Sequence, residues 1–177
     1  MHRRTRLLVA ALALALTSLQ PIAVAQAESA APRGGIEAYL DGVSIPSTAA
    51  GDYFCHDFDF PTLYCYSTAA ALEAAVAVLT TDGGRSATAV YGPSDYVTVY
   101  SEPGYVGSYA HLAQSYDALW VIGWNDQISS FKARNSANGS FYVDWYASGQ
   151  RLDFCCNSTV PQLSGTFDNA ISSVYRR

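Results

Sequence analysis

A pattern written twice constrains this chain more than any other feature. Residues 124–130 read WNDQISS and residues 167–173 read FDNAISS: an aromatic, two Asn/Asp residues, two spacers, Ser, Ser. The repetition extends outward, because Tyr100, Gly107 and Asn125 fall on Tyr142, Gly149 and Asp168 with offsets of 42, 42 and 43 residues. One single-residue gap therefore aligns two units of about forty residues each. Each unit opens on an alternating run, YVTVY (96–100) or SFYVDW (140–145), and bends at YSEPGYVG or YVDWYASG. Period-2 alternation rich in Val, Tyr and Phe, broken by Pro and Gly, is the signature of short antiparallel strands. Two four-strand units facing each other make a β-sandwich.

A single Asn/Asp/Ser cluster is ordinary turn chemistry, since these side chains bond their own backbone. Two copies at equivalent places in a duplicated unit point instead to a pair of sites. Their side chains are hard oxygen donors of the type Ca²⁺ takes, six to eight at roughly 2.4 Å in mixtures of carboxylate, amide, hydroxyl, main-chain carbonyl and water. Asp126 and Asp168 are the carboxylates of the two motifs, so the expected affinity is modest, in the range of about 10⁻⁵ to 10⁻³ M.

Residues from about 95 to 177 resemble a microbial βγ-crystallin domain. The resemblance rests on an aromatic with a Gly seven positions on, Tyr100 with Gly107 and Tyr142 with Gly149, followed by Asn125-Asp126-Gln127-Ile128-Ser129-Ser130 and Asp168-Asn169-Ala170-Ile171-Ser172-Ser173. Tyr105 fills the aromatic place two before the first Gly; Ala147 stands there in the second unit, leaving Trp145 or Tyr146 to pack that hairpin. The resemblance implies a mainly β fold, a sandwich of two Greek keys at about 95–135 and 138–177. It also implies two calcium sites shared between the keys, with donors among Asn125, Asp126, Gln127 (carbonyl), Ser129, Asp168, Asn169, Ala170 (carbonyl) and Ser172, and with Glu102 and Asp144 in the bends.

What precedes this domain divides in two. Residues 1–27 read as a signal peptide: Arg3, Arg4 and Arg6, then LLVAALALAL, too short to span a bilayer, then Ala25-Gln26-Ala27 for cleavage after Ala27, with Ala25 as the alternative. The paired arginines leave twin-arginine and general export both open. Export makes the expected location extracellular, and the Ala/Leu/Arg-rich signal looks bacterial. The exported chain keeps seven Lys and Arg against fifteen Asp and Glu, a net charge of −8, which favours cations and disfavours nucleic acid and anionic membranes. No other stretch is apolar enough to insert in a membrane, and a monomer is expected.

Residues 28–94 have another character. After a Pro/Gly/Ser/Ala-rich start comes the aromatic and acidic GDYFCHDFDFPTLYCY, then an Ala-rich helix expected from about Thr68 to Leu79, with Ser67 or Thr68 as N-cap, Leu72, Val76 and Leu79 on one face and Gly83-Gly84 beyond its end. The four cysteines of the exported part, Cys55, Cys65, Cys155 and Cys156, read as disulfides, with three pairings possible. Cys55 with Cys65 closes a short loop, which would leave a strained bridge between neighbours; alternatively Cys155 and Cys156, on opposite faces of a strand, reach different partners.

Catalysis is not expected. His2, His56 and His111 accompany no G-x-S-x-G, H-E-x-x-H or nucleotide-binding glycine pattern. The leading functional expectation is a secreted calcium-binding module whose ion stabilises the double Greek key. The second is inhibition of an extracellular protease, because the chain also resembles the crystallin-like actinobacterial metalloproteinase inhibitors in fold, export and cysteine usage. The segment for that role would be NSTVPQLSG (157–165).

Overall fold

The computed structural model describes residues 35–81 and 92–177. The proposed signal peptide and the glycine pair after the helix lie outside them. The described chain runs β1 (Glu37–Leu40), β2 (Val43–Ile45), a 3₁₀ turn (Ser47–Asp52), β3 (Phe54–Asp59), β4 (Thr62–Tyr66) and α1 (Ala69–Thr81). After residue 92 come β5 (Val97–Glu102), β6 (Val106–Leu112), a 3₁₀ turn (Leu119–Ile122), β7 (Ser130–Ala133), β8 (Asn138–Tyr142), β9 (Arg151–Cys155), β10 (Thr159–Val160) and β11 (Ser173–Arg176).

The strands form two sheets, one of eight in the order β10-β7-β5-β6-β3-β4-β1-β2 and one of three in the order β11-β8-β9. The first key comprises β5, β6, the bridge residue Tyr116 and β7; the second comprises β8, β9, β10 and β11. Each key lends its third extended segment to the other's sheet: β10 pairs with β7, and Tyr116 pairs with Val174 of β11. This exchange is the double Greek key, and the fold is the mainly β, βγ-crystallin-like sandwich that the repeats imply. The two sheets enclose an aromatic centre in which Phe141 lies 5.2 Å from Phe131 and 4.7 Å from Phe154. Trp124, Ile128 and Ile171, from the repeated motifs themselves, are fully buried beside them.

The segment before the keys is more than a helix. Its four strands extend the first sheet, β3 lying parallel to β6, and Ala38, Leu63, Cys55 and Cys65 belong to the same core as the keys. No alternation announced β1 and β2, because four- and three-residue strands are too short for a period to register. Asp57 on β3 is wholly buried and accepts hydrogen bonds from the backbone N–H groups of Ala113 (2.6 Å) and Gln114 (3.1 Å) and from the Tyr116 hydroxyl (3.0 Å). That carboxylate ties the added strands to the swapped segment of the first key. Burial raises its pKa to about 6.

Helix α1 starts after Thr68, whose hydroxyl accepts from the Ala71 N–H at 3.3 Å, as an N-cap does. Leu72 and Val76 are buried and Leu79 partly so, packed with Phe58, Tyr96, Tyr100 and Tyr109 in a second, smaller core. Both disulfides join near neighbours in sequence: Cys55 to Cys65, and Cys155 to Cys156. The alternative in which Cys155 and Cys156 reach separate partners is not realised. Both lie exposed; Cys155 is the last paired residue of β9, opposite Asn138, and Cys156 and Asn157 then take left-handed φ of 54° and 66°, so the chain turns instead of continuing the strand alternation.

Candidate metal centre

The two repeated motifs meet across a local two-fold relation. The Asp126 N–H donates to the Ile171 carbonyl and the Asn169 N–H to the Ile128 carbonyl, each at 3.0 Å. Asp126 and Asn169 sit at left-handed φ of 55° and 52°, a conformation their short polar side chains tolerate better than most. The side chains then cross between motifs. Ser172 Oγ donates to Asp126 Oδ1 at 3.0 Å, and Ser129 Oγ donates to Asn169 Oδ1 at 3.2 Å.

The second serine of each motif, given no role by the sequence, is a fastener. Ser130 Oγ donates to the Glu102 carbonyl and Ser173 Oγ to the Asp144 carbonyl, each at 2.7 Å. The same oxygens accept the N–H groups of Tyr105 (3.2 Å) and Ala147 (3.3 Å). Both serines are fully buried. They clamp each β-hairpin bend down onto its own motif, and Asp144 of the second bend lines the cavity beside Asp126. The glycines complete the bends: a Cβ on Gly107 would lie 2.2 Å from Ser101 Oγ, and one on Gly149 would lie 2.4 Å from Asp144 Oδ2. Both also hold positive φ, 80° and 74°, where L side chains are strained.

One of the two sites opens into a cavity of about 690 Å³ whose lining includes Asn125, Asp126, Asp144, Trp145, Ala170 and Ser172. Asn125 Nδ2 donates to Asp126 Oδ2 at 2.7 Å, and Trp145 Nε1 donates to Asn125 Oδ1 at 2.9 Å. The related pair is Asn169 and Ser129, with Asp168 preceding Asn169 in the chain, and Asn169 also borders the cavity. Asp168 Oδ1 is buried there with no hydrogen-bond partner among the described residues, a costly state for an acceptor that a cation would relieve. The oxygens of Asp126, Ser172, Asn169 and Ser129 are of the type Ca²⁺ takes. The sites differ in one respect: opposite the ligand-type serine stands a carboxylate, Asp126, in the first, and a neutral amide, Asn169, in the second.

The second hairpin is not packed by its aromatics as expected. Tyr105 stacks edge-on against Tyr100 at 5.6 Å, beneath Lys132 Nζ at 4.0 Å. With Ala147 at the equivalent place, Tyr142 packs on Tyr175 of β11 instead, at 5.9 Å, and Trp145 and Tyr146 point outward, 49% and 70% exposed.

Away from these sites a hydroxyl, imidazole and carboxylate do line up. Thr98 Oγ1 lies 3.0 Å from His111 Nδ1, and His111 Nε2 lies 3.4 Å from Glu73 Oε1, which also accepts from the Tyr109 hydroxyl at 2.8 Å. Thr98 and His111 are each 1% exposed, so no substrate reaches them, and the line braces α1 on the sheet. His111 holds Glu73 down to about 2, while burial lowers the pKa of His111 itself. Among the described residues no group of three or more His, Cys, Asp or Glu side chains is placed to hold a metal, and no helix is long and apolar enough to cross a membrane.

No protein-family model matches the chain, and no curated protein is significantly similar to it. Solved structures are. A βγ-crystallin from Ciona intestinalis is 24% identical over 46% of this chain and 98% of its own, with a TM-score of 0.41. The N-terminal domain of protein S is 22% identical over 46% and 94%, TM-score 0.42. A βγ-crystallin domain from Flavobacterium johnsoniae is 28% identical over 47% and 94%, TM-score 0.42.

Proposed function

We propose that the protein is a secreted, monomeric calcium-binding module of the βγ-crystallin kind, in which two ions bind between the Greek keys and stabilise them. The crossed pairs Ser172–Asp126 and Ser129–Asn169 carry this reading, because each would-be site draws donors from both keys. An ion held there adds to the backbone hydrogen bonds between the motifs and to the exchanged strands in linking the two halves of the fold. Asp126, Ser172 and the Ala170 carbonyl would serve the first ion, with Asn125 and Asp144 beside them. Asn169, Ser129 and the Gln127 carbonyl would serve the second, with Asp168 and Glu102 beside them. When bound, calcium supplies charge neutralisation to these carboxylates and a crosslink.

Thermal melting of the exported protein tests the proposal. A ligand bound by the native state alone adds RT ln(1 + [L]/Kd), about 2.7 kcal/mol at a hundredfold excess over Kd. Millimolar Ca²⁺ is expected to raise the melting temperature over that in chelator, and identical melts overturn the reading. Protease inhibition through residues 157–165 gains less from the geometry. Thr159 and Val160 are zipped to β7 as β10 and Leu163 is buried, which leaves little extended backbone to enter a protease cleft.

A further inference from the structure

We infer that the cavity beside Asp126 is a binding site for a neutral saccharide, gripped between the exposed rings of Trp145 and Tyr146 and the polar wall of Asn125, Asp126 and Asp144. The inference deepens the calcium reading and rests on it for the ion's share of the contacts. Its ground is where the duplication breaks. In the first hairpin the aromatic of the bend, Tyr105, is consumed by packing on Tyr100 and under Lys132. In the second, Ala147 takes the inward place, and two successive large rings are displayed instead, 49% and 70% exposed.

This display is held in place. The Trp145 indole N–H is bonded to Asn125 Oδ1 at 2.9 Å, which fixes the ring at the rim of the cavity. Tyr146 and Ala147 are both kept at left-handed φ, 57° and 56°, by the Tyr146 N–H bond to the Asp117 carbonyl (2.8 Å) and the Ala147 N–H bond to Ser173 Oγ (3.3 Å). Non-glycine residues adopt that conformation at a cost, and exposed aromatics add a further one. The equivalent Gly104 and Tyr105 of the first hairpin hold φ of 78° and 65°, so the bend sets this backbone in both units, and what the second adds is the display of two exposed rings.

The chemistry of the walls selects the occupant. Flat amphipathic rings on one side and acceptor oxygens on the other suit a molecule with an apolar C–H face and a rim of hydroxyl donors, which describes a pyranose. The volume of about 690 Å³ is in the range of small-ligand sites. Acidic walls on a chain of formal net charge −5 disfavour acidic sugars and phosphates. Asp126 and Ser172 would hold the calcium ion, which would offer sugar hydroxyls further oxygen coordination.

The test is a glycan array of neutral and acidic oligosaccharides, probed with the exported protein in Ca²⁺ and in chelator, alongside calorimetric titration with calcium alone. Binding to at least one neutral glycan is expected, weakened at least tenfold in Trp145→Ala and in Tyr146→Ala, with calcium titration and melting temperature unchanged in Tyr146→Ala. Tyr146 is 70% exposed, so its variant keeps the fold, and Tyr146→Ala alone decides the outcome if Trp145→Ala does not fold. Calcium binding without any neutral-glycan binding, or glycan binding indifferent to both ring deletions, overturns the saccharide site and leaves the calcium reading standing. Absence of calcium heat with ring-dependent glycan binding in chelator overturns the calcium reading and leaves the saccharide site.

Discussion

Asp57→Asn isolates the carboxylate that joins the added strands to the Greek keys. The native Asp57 is wholly buried and its pKa stands near about 6 against an ordinary 3.8. The folded state therefore keeps this proton to higher pH than the unfolded chain does. Protonation favours folding, and the contribution is full below about pH 4 and lost as pH rises through about 6. At about 1.4 kcal/mol per pH unit the whole effect is about 3 kcal/mol, of which about 2 kcal/mol falls between pH 4.5 and 7. The amide preserves shape and one acceptor while removing the titration.

Urea unfolding of both proteins in chelator, at pH 4.5 and pH 7, should show the wild type losing about 2 kcal/mol relative to the variant as pH rises. Its neighbour on β3 has the opposite sign. Burial and the nearby His111 push the His56 imidazole down to about 4 from 6.5, so the unfolded chain takes the proton first, and the wild type should lose about 2 kcal/mol relative to His56→Phe as pH falls from 7 to 4.5. The phenyl ring can keep the stacking on Phe58 at 4.7 Å. Stability differences that stay constant with pH in both variants would refute the assignment of these slopes to buried, ionisable β3 side chains.

Three further outcomes are expected. Ser129→Arg and Ser172→Arg should each remove one of two calcium sites in calorimetry without unfolding the protein, and Asn169→Asp should tighten the weaker site by placing a carboxylate opposite Ser129. Gly51→Ala should cost about 1–3 kcal/mol or more in denaturant unfolding, because its Cβ would lie 2.1 Å from the Gly123 carbonyl oxygen, whereas Gly165→Ala, with nothing within 4 Å, should be neutral. Replacing Cys55 and Cys65 by Ser should lower stability by about 3 kcal/mol through the lost loop constraint, while replacing Cys155 and Cys156, adjacent in sequence, should change it little.

The sequence by itself determined the repeated half of this protein. Duplicated motifs at a fixed offset, alternating strands and paired bends leave one way to bury both apolar faces, and local backbone chemistry at Asp126, Asn169, Gly107 and Gly149 is set by residues near in the chain. Helix α1 was legible for the same reason, since a cap and an i, i+4 stripe are local signals. Only the tertiary structure decided what depends on contacts far apart in sequence. The four strands of residues 37–66 join the first sheet through β3 beside β6, and a buried Asp57 reaches Ala113 and Tyr116. Serines 130 and 173 clasp bends nearly thirty residues away. The crossing of Ser172 to Asp126 and Ser129 to Asn169 belongs to this second kind: spacing supplied the oxygens, but which serine faces which Asn or Asp is fixed by how the two keys pack.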